Sequence, residues 1–155
     1  MRLKPTPTTI FFSLCSALFL LTCVSIRAQS TDMKLRAYLV WGTDDTKPPE
    51  GKNYKPVEAD IDKKLKNLPL RYKHYYEVNR TNFNLAPAGI RKVPVSERCE
   101  LEVKSIGNSN VEVALFGKGK EAARQKQPLA KDETLVVSGN APNATAWLVV
   151  LKRIE

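Results

Sequence analysis

Residues 34–41, KLRAYLVW, alternate. Leu35, Ala37, Leu39 and Trp41 fall on one side of an extended chain, and Lys34, Arg36, Tyr38 and Val40 fall on the other. Successive side chains of a strand point to opposite faces, so this period of two predicts a strand with one core face. GTDDTKPPEGKNYKP follows, and its glycine, proline and aspartate content predicts a long loop. Residues 57–68 change period. Ile61, Leu65 and Leu68 recur at i, i+4 and i+7, which aligns them along one stripe of a helix. Glu58, Asp60 and Asp62 come early and Lys63, Lys64 and Lys66 late, the order that complements the helix dipole, and Pro69 ends the segment.

Beyond Pro69 the pattern is strand-like to the end. Strands are predicted over 71–79, 82–86, 91–95, 99–106, 111–117, 124–129, 134–138 and 144–153, with PAG, GNSN, GKGK and GNAPN as turns between them. The clearest pairing joins 99–106 to 111–117. Leu101 and Val103 alternate with Glu100, Glu102 and Lys104, and Val111, Val113 and Leu115 alternate with Glu112, across an asparagine-rich turn. The last strand is apolar without a break from Ala146 to Leu151, which predicts a central position with both faces covered. Turn signals about every ten residues predict a mainly β fold. The expected architecture is an antiparallel sandwich or barrel of about seven to nine short strands with one short helix.

LRYKHYYE, residues 70–77, holds three of the five tyrosines and the single histidine. A period of two puts Tyr72, His74 and Tyr76 on one face and Arg71, Lys73 and Tyr75 on the other. A platform that stacks and neutralises single-stranded nucleic acid needs rings and charges on one surface, so the split argues against it. Nucleic acid is not a favoured partner. The expectation is an ordinary strand whose rings pack at the core margin with their polar tips bonded or wet.

The N-terminus is different in kind. Arg2 and Lys4 precede an uncharged apolar run, residues 10–26, and Ala28 offers a small residue for cleavage. That order predicts a signal peptide over residues 1–28 and a single β-rich domain over 29–155. Two alternatives are an uncleaved anchor, which is the one expected route to a membrane, and lipidation at Cys23. Cleavage removes Arg2, Lys4 and Arg27 and no acid, so the formal charge falls from +9 to +6, and Cys99 is left as the one cysteine of three. An exported domain with one thiol has no internal disulfide and depends on core burial. The expected location is periplasmic or extracellular.

The chemistry-bearing residues do not form a catalytic or metal pattern. Cys99 is the one mature thiol and His74 the one imidazole, and nothing in their spacing pairs them. Cys99 is in phase with Leu101 and Val103, which predicts a buried, inert thiol. Two such residues are too few for zinc, and Asp44, Asp45 and Glu50 lack the alternation of a calcium loop. FGKGKEAAR lacks the spacing of a phosphate-binding loop and predicts a tight turn. No cofactor is expected. Asn79 and Asn143 stand in glycosylation acceptor patterns.

The basic excess is the remaining clue. Lys63, Lys64, Lys66, Arg71 and Lys73 form one acid-free stretch, and Lys118, Lys120, Arg124, Lys126 and Lys131 form another, offset by Glu121. Lys118, Lys120, Arg124 and Lys126 are the candidate anion-binding residues. The segments LRAYLVWGTDDTKPP and NATAWLVVLKR resemble parts of small exported bacterial proteins that have no described activity. The resemblance implies a periplasmic or extracellular bacterial setting and a β-rich fold, and it carries no site residues. The expected function is a non-catalytic exported module for protein–protein contact or envelope assembly, with sheet edges and the 107–110 and 117–120 turns as contact points. The alternative is a binder of anionic glycan or lipid surfaces through the basic residues.

Overall fold

Two antiparallel sheets enclose the core of this computed structural model, which describes residues 31–70, 72–138 and 146–155. The elements in chain order are β1 (Met33–Thr43), β2 (Lys55–Pro56), α1 (Ala59–Lys66), β3 (His74–Leu85), β4 (Ile90–Ser96), β5 (Cys99–Gly107), β6 (Asn110–Gly117), β7 (Lys120–Pro128), β8 (Thr134–Ser138) and β9 (Ala146–Arg153). The first sheet has the order β2-β3-β1-β9-β8 and the second the order β4-β5-β6-β7. The mainly β expectation therefore holds, with one short helix among the described residues. The predicted signal peptide, the GNAPN turn, the Asn143 acceptor and Arg71 lie outside the described residues.

Set the two-residue β2 aside, and each strand neighbours the next in chain order all the way round. β3 flanks β1, β4 to β7 run as a meander, β8 pairs with β9, and β9 closes onto β1. Ladders are missing at two seams only, β3 to β4 and β7 to β8. A side-chain amide crosses each seam: Asn79 Nδ2 donates to the Val95 carbonyl at 3.0 Å, and Gln125 Nε2 donates to the Val136 carbonyl at 3.0 Å. The molecule is a sandwich with the circular strand order of an up-and-down barrel.

The interior between the sheets is filled by alternate residues of nearly every strand. Leu35, Ala37 and Leu39 of β1 meet Leu101 and Val103 of β5, Val113 and Leu115 of β6, and Val149 and Leu151 of β9. A second cluster lies on the other side of the first sheet, where Ile61 and Leu65 of α1 cover Tyr38, Val40, Tyr75, Leu148 and Val150. β9 is thus central and covered on both faces, as its unbroken apolar run implies.

Four sequence expectations need correction. β1 has two core faces, not one, because α1 roofs the face that carries Tyr38 and Val40. The strands expected at 71–79 and 82–86 are a single strand, β3. A bulge at Val78, where Leu39 pairs with Asn79 and Val40 with Glu77, absorbs the change of phase that mimicked a break. β7 begins at Lys120, four residues before the expected strand, because a two-residue turn at Lys118 and Gly119 pairs Gly117 directly with Lys120. The helix is also shorter than 57–68 at both ends.

A candidate binding end

β1 runs towards the end where β9 begins, and the circular antiparallel order fixes what joins it there. The upper end collects the β1–α1 connection, the segment before β3, and the β4–β5 and β6–β7 turns. The lower end collects the β3–β4, β5–β6 and β7–β8 turns and the C-terminus.

Charge divides along the same axis. On the outer face of the second sheet, register places Lys104, Glu112 and Lys126 in one row, Lys92, Glu102 and Arg124 in the next, and Glu100 with Glu121 in a third. Signs alternate, and the face is balanced. Arg124 is held between Glu112 and Glu121, Lys126 bonds Glu112 at 2.8 Å, and Lys92 lies 3.6 Å from Glu102 and 3.7 Å from Glu100. These hydrogen bonds hold the Glu112 and Glu121 carboxyls below the usual carboxylate range and push Arg124 upward. Such cross-strand pairs order a solvent-facing sheet. The four sequence candidates therefore separate: Arg124 and Lys126 are engaged by carboxylates, whereas Lys118 and Lys120 are exposed at the upper turn.

A second balanced cluster lies where α1 meets the first sheet. Glu58 and Asp60 at the start of the helix meet Arg36, Arg80 and Lys152, and Arg80 also binds Glu77. Arg80 covers the ring of buried Tyr38 at 5.0 Å. The Lys152 ammonium holds the Asp60 carboxyl low, and Asp60 in turn raises Lys152. The arrangement pins the helix start and places carboxylates at the positive end of its dipole. Nothing in the sequence pattern signalled it, because its members come from four elements.

The upper end is not balanced. The β1–α1 connection carries Lys47, Lys52 and Lys55, Lys73 precedes β3, Arg98 sits in the β4–β5 turn, and Lys118 and Lys120 flank the β6–β7 turn. Apart from Glu58, which belongs to the helix-start cluster, Asp44, Asp45, Glu50 and Glu97 oppose them in those segments. Among the described residues, none of these groups but Glu58 enters an ion pair. The lower end has equal numbers: Lys34, Arg91, Lys131 and Arg153 against Asp32, Asp132, Glu133 and Glu155, of which Lys34 and Glu155 pair directly. Among the described residues, the excess thus resides at the upper end, with Lys63 and Lys64 in the half of α1 that leads there, where Lys66 pairs with Asp62.

The same end carries an aromatic row. Tyr76 of β3, Trp41 of β1 and Trp147 of β9 are direct register partners, so the three rings project from one face of three adjacent strands. Trp41 packs on Tyr76 at 5.9 Å and against the edge of Tyr54 at 6.2 Å, and His74 lies 6.5 Å from Tyr76. The Tyr76 hydroxyl donates to the Thr46 carbonyl at 2.8 Å. Trp41 and Tyr76 are buried, but Trp147 is 40% exposed. LRYKHYYE is therefore a strand entrance with Tyr75 and Tyr76 packed on opposite faces. Tyr72 leaves the expected phase and lies with Tyr75 against Gly42, because the strand starts only at His74. The aromatic row was missed in the sequence because register between distant strands makes it. The available signal was that both tryptophans stand at the same end of a strand ladder, in phase with core residues.

Cys99 is half buried against the core, and burial raises its thiol pKa, consistent with an inert thiol. Two surface clefts, about 530 and 210 Å³, open at the lower end, the first between β3 and β4 beside Asp32, Ile90 and Arg91. No family model matches the chain, and no curated protein or solved structure does.

Proposed function

We propose that the chain is an exported, non-catalytic module that binds an anionic polymer at its upper end. The observation that carries this is the segregation of charge. The outer face of the second sheet, the helix-start cluster and the lower end are each neutral, while the upper end keeps unpaired cations. Exposed charges act over about 8 Å at physiological ionic strength, so a cluster at one end presents a concerted field where an evenly spread excess would not. Lys118 stands at φ 51°, in a turn position that asparagine or glycine fills with less strain. A lysine there costs some stability and carries a charge to the tip.

The test divides the four sequence candidates. Lys118→Asn with Lys120→Gln should lower the salt concentration needed for elution from a heparin-like matrix. Neutralising Arg124 and Lys126 together with their partners Glu112 and Glu121 should leave elution nearly unchanged, because that face is already balanced. Equal losses from the two variants would refute the assignment of binding to the upper end.

A second reading, contact with another envelope protein, is supported by Ile90 and Ile106. They are 58% and 44% exposed and neighbour one another diagonally on the outer face of the second sheet. Strand addition is less favoured, since Pro94 interrupts the open edge of β4 and a bulge at Ala122 distorts β7. Loss of in vivo cross-linking in an Ile90→Ser, Ile106→Ser variant would support that reading, and unchanged cross-linking would refute it.

A further inference from the structure

Among the described residues, Trp147 is the one large aromatic side chain that the fold leaves substantially open, and it stands at the end where the unpaired cations gather. It continues the inner face of β9 past Val149 and Leu151, beyond the packed interior. Its register partner, Trp41, packs on Tyr76 and against the edge of Tyr54. We infer that this end binds an acidic polysaccharide, with one sugar ring laid on the Trp147 indole and its carboxylate met by the lysines of the β6–β7 turn.

The inference rests on the proposed function and names the polymer. A pyranose ring has a face of C–H groups that packs on an aromatic surface, and an acidic sugar carries its charge at the ring edge. It therefore needs one accessible ring with cations nearby. A nucleic-acid strand engages a succession of accessible rings. Here Trp41 and Tyr76 are closed off, and one open indole remains. A lipid surface is held by several protruding apolar side chains beside its basic residues. At the upper end, Trp147 is the only exposed large hydrophobic residue among those described. Lys118 and Lys120 stand at the same end, at the β6–β7 turn of the second sheet, on which the inner face of the first sheet packs.

Both tryptophans of the chain belong to this row, so intrinsic fluorescence reports on the site directly. The probes are an oligouronate, a neutral oligoglucan and inorganic polyphosphate, titrated into the domain at fixed ionic strength. The inference expects the oligouronate to shift the tryptophan emission, and polyphosphate to bind without that shift. Trp147→Ala should weaken oligouronate binding about tenfold or more, while Trp147→Phe, which keeps a ring, should retain most of it. Unchanged affinity in Trp147→Ala, with loss in the Lys118→Asn, Lys120→Gln variant, would overturn the ring contact and leave the anion-binding end standing. Equal losses in the alanine and phenylalanine variants would also overturn it. Failure of the parent domain to bind either polyanion would remove both proposals. A neutral oligoglucan that binds as well as the oligouronate would remove the requirement for acid.

Discussion

Tyr75 is 3% exposed, and its hydroxyl has no hydrogen-bond partner among the described residues. Tyr72 and the helix crowd it, and Gly42 makes room for both rings: a Cβ there would meet each at 3.2 Å. A buried hydroxyl without a partner costs about 1–3 kcal/mol. Tyr75→Phe should therefore raise the thermal midpoint at pH 7 by a few degrees, read by circular dichroism, and a lower midpoint would show that the hydroxyl is satisfied. Burial raises the phenol pKa of Tyr75, and of Tyr38, above the ordinary value of 10.0. The neutral phenol is favoured in the fold, so this stabilisation is complete below pH 10 and is lost as pH rises through the raised values. The variant should accordingly lose less stability than the parent between pH 10 and 11. At this scale the sequence shows which residues are aromatic and which alternate. It does not show that Tyr72 breaks phase, because the strand entrance is set by packing against Gly42.

At the scale of elements, α1 has eight residues, too few for a stable helix in isolation. Its stripe was legible, and Ile61 and Leu65 are its two fully buried residues. Their burial, with the Glu58 and Asp60 ion pairs, holds the helix on the first sheet. Leu65→Ala should cost about 3 kcal/mol by urea denaturation, whereas Lys64→Ala on the exposed side should change little. Near-equal effects would mean that the helix is not a structural lid on that sheet. The β5–β6 hairpin was legible too, since Leu101 pairs with Leu115 and Val103 with Val113 across a two-residue turn at Asn108 and Ser109. β3 was not. A bulge at Val78 shifts the alternation by one residue, and a sequence scan reads that shift as two strands with a gap.

For the whole molecule, the circular strand order decides which loops share an end. The sequence supplies the basic residues, but only antiparallel pairing brings Lys118 and Lys120 to the same end as Trp41 and Trp147. Register likewise sets Arg124 and Lys126 opposite carboxylates, so a cluster that looks continuous along the chain is divided in space. The most direct measurement is amide chemical-shift mapping of the domain as an oligouronate is added. Perturbations should concentrate on Trp41 to Tyr54, Lys73 to Tyr76, Arg98, Lys118 to Lys120 and Trp147, and should leave Glu112, Arg124 and Lys126 unmoved. Perturbations centred on that charged outer face, or spread evenly over both ends, would contradict the account.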